Sequence, residues 1–226
     1  MYPWPTEERD LANPDPTVRG RAVVYLKSCV DFAVTVSAPL VIVVPSSVAK
    51  ARPVGTFDTE EAWVEEAERE WGYAVDSVRQ AAVYAGQHGI RLAVEPINRY
   101  ESFLVNTCEQ GLRFVREVVE LHLDTFHMNI EEADPAQAVR SAGGLLINVH
   151  MADSNRQSVG RGHTDYRAIM QALLDIGYEG ALVLEPLPPV PDPYIAARLK
   201  RYENLRDTYA EESIALLRAI EKELKH

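Results

Sequence analysis

The sequence predicts an α/β fold built on a parallel sheet, and three observations carry that prediction. Five short apolar, β-branched runs recur along the chain, amphipathic helical patterns separate them, and capping or turn residues mark the joins. Such alternation requires right-handed crossovers between parallel strands, either in a doubly wound sheet or in a closed barrel. With 226 residues, 46% of them hydrophobic, the chain can bury a sizeable core, and residues 1–226 are expected to form a single domain.

Residues 1–14 combine proline, charge and aromatics without periodicity and read as a loop. Asp15 and Pro16 then supply an N-cap and a first helical residue, and Ala22, Val23, Leu26, Val30 and Ala33 give that helix one buried face until Pro39 forbids continuation. Leu40 to Val44 reads as a strand buried on both faces. Asp58 and Glu61 form a capping-box pattern for a long helix carrying Trp63, Ala67, Trp71, Ala74, Val78 and Ala82, with Gly89 as its stop. A strand from Leu92 to Pro96 follows. The unit then repeats with a helix from Thr107, a strand from His122 to Met128, a helix from Asp134 and Pro135, and a strand from Leu146 to Met151. Asp165 caps the next helix, Gly177 stops it, and Ala181 to Glu185 is the last strand. An amphipathic tail from about Tyr194 to Leu224, broken near Thr208, makes 190–226 a C-terminal helical segment.

Charge and composition narrow the function. Lys and Arg total 23 against 34 Asp and Glu, a net charge of -11 that repels nucleic acid and anionic membranes. The longest apolar run, Ala38 to Val44, is too short to span a bilayer, so a cytoplasmic protein is expected. Cys29 and Cys108 show no C-x-x-C spacing and read as reduced thiols. A glycine-rich G-x-G-x-x-G motif follows none of the strands, so a dinucleotide-binding fold loses ground.

Four of the five strands end in residues that packing does not explain: Glu95, Asp124, His150 and Glu185. The C-terminal edge of a parallel sheet is where such folds place their active sites. A single carboxylate there is usually a solvated loop residue or a helix cap, and a lone histidine is usually structural. Four in register are better explained by a shared ion. Three converging carboxylates need a cation, and an oxygen-rich set with one imidazole suits Mn²⁺, Co²⁺ or Mg²⁺. His88, His122, His163 and His226 read as structural or surface residues, and Cys108 as a small buried thiol.

The blocks around these residues, Glu95-Pro-Ile-Asn-Arg-Tyr-Glu101, Leu123-Asp-Thr-Phe-His-Met-Asn-Ile-Glu-Glu132, Asn155-Arg156 and Glu185-Pro186, resemble the D-tagatose 3-epimerase (D-allulose 3-epimerase) group of xylose isomerase-like TIM barrels. By motif order, Leu40 to Val44 matches the fourth of eight strands, so the resemblance implies an incomplete TIM-barrel-type fold carrying strands four to eight. It implies that Glu95, Asp124, His150 and Glu185 bind one divalent ion, and that Glu95 and Glu185 serve as acid and base. His127 and Arg156 would hold substrate oxygens, and Glu101 would orient substrate-binding groups. The implied reaction is C3 epimerisation of a ketose through a cis-enediolate, for which no organic cofactor is expected. An inosose dehydratase, a hydroxypyruvate isomerase and a non-catalytic metal-binding remnant are the alternatives on this scaffold. A nuclease is set aside, because it would need more metal-binding histidines and a basic groove.

The start of the chain then reads as a shortened product, a misplaced start or a fragment. Five strands of a barrel would leave exposed edges, so a second copy or a partner chain is expected to cover them. Sedimentation at micromolar concentration should show an oligomer. A monomer that unfolds cooperatively would contradict this.

Overall fold

The Asp15 side chain accepts the Thr17 N–H at 2.7 Å and Pro16 occupies the first turn, so the first helix, α1, begins where the sequence places it and runs over Pro16–Thr35. The structure is a computed structural model that describes residues 9–190, 196 and 199–225. Expectations for residues 1–8, 191–195, 197–198 and 226 lie outside the described residues. The remaining elements are β1 (Leu40–Val43), α2 (Glu60–Gln87), β2 (Arg91–Val94), α3 (Cys108–Val115), β3 (Glu120–Asp124), α4 (Thr125–Glu131), α5 (Pro135–Ala142), β4 (Leu146–Met151), α6 (Tyr166–Asp175), β5 (Ala181–Leu184) and α7 (Glu203–Leu224). Strand order follows chain order, β1-β2-β3-β4-β5. Among the described residues, no helix is long and apolar enough to cross a membrane.

The chain divides into two compact units, Met1–Leu121 and His122–His226. In the first, β1 and β2 pair in parallel from Leu40↔Arg91 to Val43↔Val94, and β2 continues onto β3 through Ala93↔Glu120 and Val94↔Leu121. Helix α1 buries Val18, Ala22, Leu26 and Val30 and packs on α2, whose Trp71 meets Phe114 of α3 edge-on at 5.3 Å. The Thr107 and Gln110 side chains close a capping box at the start of α3. The fully buried Glu70 accepts the Val54 N–H at 2.6 Å and pairs with Lys50 Nζ at 2.5 Å, and Lys50 also reaches Asp10 at 2.7 Å. Burial raises the Glu70 carboxyl, and Lys50 opposes that rise.

In the second unit, β4 and β5 pair in parallel from Asn148↔Ala181 to Met151↔Leu184. Asp134 and Asp165 cap α5 and α6 as their sequence positions require, α5 packs on α6, and α6 packs on α7. Thr125 Oγ1 donates to the Ala152 carbonyl at 2.8 Å and accepts the Ala152 N–H at 3.0 Å, which fastens the residues after β3 to those after β4.

Several sequence expectations need correction. Leu40, Val41 and Ile42 are only half-buried rather than covered on both faces, because among the described residues β1 is an edge strand paired with β2 alone. The N-cap of α2 is Thr59, which accepts the Ala62 N–H at 3.2 Å, and not Asp58. The strand read as His122 to Met128 begins at Glu120 and ends at Asp124, where the Asp124 side chain turns the chain into α4. Helix α7 passes through Thr208 unbroken, the Thr208 hydroxyl donating to the Asn204 carbonyl one turn earlier at 2.9 Å.

Gly111 is the close-approach position of the first unit, since a Cβ there would fall 2.7 Å from Leu121 Cδ1 and 2.9 Å from Pro96 Cγ. Gly72 in α2 is exposed, with nothing near its missing Cβ. Gly111→Ala should therefore destabilise by about 1–3 kcal/mol through overpacking. Gly72→Ala should stabilise by about 0.5–1 kcal/mol. Thermal melts that shift both variants in the same direction would contradict this packing.

Candidate metal centre

Each of the four strand-end residues lies where a strand stops. Glu95 follows β2 directly, its N–H donating to the Val43 carbonyl at 3.0 Å, and its side chain is buried. Asp124 is the last residue of β3 and fully buried, His150 is the penultimate residue of β4, and Glu185 follows β5 with its N–H on the Met151 carbonyl at 3.1 Å.

Asp124, His150 and Glu185 converge in the second unit, each offering a ligand atom within 4.8 Å of the others. His150 Nδ1 is 2.9 Å from Glu185 Oε2. Arg156 stands between the carboxylates, with Nη1 donating to Asp124 Oδ2 at 2.6 Å and Nη2 to Glu185 Oε2 at 2.5 Å. The other Asp124 oxygen accepts the Phe126 N–H at 2.8 Å as the N-cap of α4, so the backbone fixes that carboxylate. The Arg156 guanidinium also lies over the Phe126 ring, 4.6 Å from its centre.

Burial alone would push the Glu185 carboxyl up, but the His150 contact and the Arg156 charge outweigh it and hold it at about 2. Glu185 is therefore a carboxylate at neutral pH, and no proton need leave before it binds a cation. The donor set fits a divalent ion. Two donors at right angles, each about 2.1 Å from one ion, would stand about 3.0 Å apart, close to the observed His150–Glu185 separation.

The other expected site residues occupy less uniform places. His127 is buried in α4 with Nε2 3.8 Å from Asp124 Oδ2. Glu101 lies in the first unit, where its carboxylate accepts from Asn98 Nδ2 at 2.8 Å. Arg156, expected on substrate oxygens, is found on two of the expected ligands. Its φ of 62° is a left-handed conformation that a side chain of this size seldom adopts.

His122 is fully buried, its Nδ1 3.1 Å from the Asn148 carbonyl, and its ring packs edge-on against His150 at 4.2 Å. His88 and His163 make local contacts at 2.9 Å, to the Tyr84 carbonyl and to Ser154 Oγ respectively. Cys108 is buried in the first turn of α3, and both cysteines are free thiols. Sequence reasoning passed over Asp153, the buried carboxylate beneath the Arg156 loop, although an aspartate followed by Gly160 and Gly162 was the available signal.

Comparison with known proteins places the chain in a family. The xylose isomerase-like TIM barrel family model matches residues 3–220, and the chain belongs to that family. It is 34% identical over 186 residues to the D-psicose 3-epimerase of Ruminiclostridium cellulolyticum, covering 80% of this chain and 61% of that protein. It is 42% identical over 120 residues to the L-ribulose 3-epimerase of Mesorhizobium japonicum, covering 51% and 40% respectively. A crystal structure of D-psicose 3-epimerase with D-tagatose from Clostridium cellulolyticum superposes with a TM-score of 0.81 at 30% identity, over 96% of this chain and 76% of that one. The chain thus spans less than two thirds of the length of these two curated relatives.

Proposed function

We propose that this chain acts as a divalent-metal-dependent ketose 3-epimerase on an unphosphorylated sugar. The observation that carries this reading is the convergence of Asp124, His150 and Glu185 at strand ends, in a chain whose relatives are named as D-psicose and L-ribulose 3-epimerases. Glu95, from the end of β2, is proposed as the fourth ligand.

The bound ion, Mn²⁺, Co²⁺ or Mg²⁺, would polarise the substrate carbonyl and so make the neighbouring C–H acidic. Glu95 and Glu185 are proposed as the acid/base pair, one removing the proton from C3 and the other returning one to the opposite face. Inversion at C3 follows without redox chemistry. His127 and Arg156 would hold substrate oxygens, and Glu101, already hydrogen-bonded to Asn98, would keep that neighbourhood in place. Two free thiols fit a reducing compartment, which supports the cytoplasm as its location. The half-buried β1 and the exposed Val24 and Phe32 of α1 support coverage by a second copy or a partner.

The test supplies Mn²⁺ or Co²⁺ with D-fructose, D-tagatose and L-ribulose and resolves the C3 epimers. Turnover of at least one ketose is expected, and Glu185→Gln should lower it by at least about 100-fold. If the protein binds metal and converts none of the panel, the epimerase reading fails and a non-catalytic metal-binding role replaces it.

A further inference from the structure

The segment from Asp153 to Thr164 is irregular, yet its backbone is tied to one side chain. Asp153 is fully buried. Its Oδ1 accepts the N–H groups of Ser154 at 2.7 Å and Thr164 at 3.1 Å, and its Oδ2 accepts that of Gly160 at 2.7 Å. Burial by itself would raise this carboxyl, but the Gly162, Ser154, Thr164 and Gly160 N–H groups together hold it below the usual carboxylate range. The wrap is tight, since a Cβ on Gly162 would fall 2.3 Å from Asp153 Oδ1. Arg156 closes the turn, its N–H donating to the Asp153 carbonyl at 2.7 Å, in the left-handed conformation already noted. The far side of the segment is bound to α7. Ser158 Oγ donates to Glu212 at 2.5 Å, Arg161 pairs with the same carboxylate through Nε and Nη2, and Val159 N–H donates to Ser213 Oγ at 3.1 Å.

We propose that Asp153 is a positioning residue, whose carboxylate winds the 153–164 segment so that Arg156 is delivered to Asp124 and Glu185. An unusual backbone conformation persists only where its surroundings over-determine it, and the Asp153 hub with the Glu212 anchor supplies those constraints. Charge-assisted bonds from buried backbone N–H groups are the strong kind, so the hub is the part whose loss would free Arg156. The catalytic consequence rests on the proposed epimerase reading; the positioning itself does not.

The experiment measures the rate at which phenylglyoxal, an arginine-selective dicarbonyl, modifies Arg156 in the full chain. Mass spectrometry reads the product, and the exposed Arg218 of α7 serves as the internal reference. Arg156 should react slowly in the wild type and about tenfold faster in Asp153→Asn, with Arg218 unchanged, because losing such bonds lowers the cost of local opening by at least ~1.4 kcal/mol. Gly162→Ala keeps the charge but pushes a Cβ against the carboxylate, and should raise the Arg156 rate in the same way. This decides the matter if Asp153→Asn does not fold. An unchanged Arg156 rate in the folded variants overturns the proposal.

In turnover, Asp153→Asn should raise KM for a ketose more than it lowers kcat, and should add nothing in an Arg156→Met background. Full additivity of the two substitutions also overturns the proposal. A faster Arg156 reaction with wild-type turnover supports the positioning role and contradicts the part assigned to Arg156 in the proposed reaction.

Discussion

A positive charge placed between the Asp124 and Glu185 carboxylates is the constraint on which the arrangement of the second unit depends. At 4 Å, two like charges repel by about 1 kcal/mol in water and about 4 kcal/mol at the effective dielectric of a protein surface. Strand ends that bring carboxylates to one place therefore need a cation. In this protein Arg156 already supplies one, bridging Asp124 Oδ2 and Glu185 Oε2. The His150 contact and the Arg156 charge keep Glu185 ionised, and His150 Nδ1 lies against the same Glu185 oxygen that Arg156 holds, at a separation that two ligands of one ion would have.

The surrounding fold prepares that pairing. Asp124 is held by the helix it caps, through Phe126 N–H, so one of its oxygens belongs to the backbone and the other to the site. Register between β4 and β5 sets His150 opposite Val183, two residues before Glu185, and Thr125 fastens the turn after β3 to Ala152 beyond β4. Arg156 comes from no regular element. It is carried by a segment whose backbone closes on Asp153 and whose outer side is clamped to α7 by Glu212, so that a C-terminal helix remote in sequence contributes to the placement of a charge at the strand ends.

Much of this is legible in the sequence. Asp15, Thr107, Asp134 and Asp165 each cap the helix their positions announced, because an N-cap is a local event decided within a few residues. The strand-end residues Glu95, Asp124, His150 and Glu185 stood out because hydrophobic packing does not explain an acidic residue or a histidine closing a run such as Leu-Ala-Val. What escaped is non-local. Hydrophobic pattern cannot say that β1 has β2 on one side and stays half-buried, nor that Asp124 ends its strand by capping a helix when Phe126, Met128 and Ile130 can also be read as strand alternation. Asp153 sat within an ordinary polar loop sequence, and only the folded backbone shows its carboxylate gathering N–H groups from residues up to eleven positions away. The Asp10–Lys50–Glu70 cluster of the first unit joins residues forty positions apart, and no spacing rule would have found it.

The proposed function requires the strand-end donors to form one site for a divalent ion. Titration with Mn²⁺, followed by loss of the free-ion electron paramagnetic resonance signal, tests it directly. One Mn²⁺ per chain is expected, with a Kd weakened at least about tenfold in His150→Ala and in Asp124→Asn, both variants still folded. Binding of equal strength in wild type and both variants, or no saturable binding at all, would contradict it.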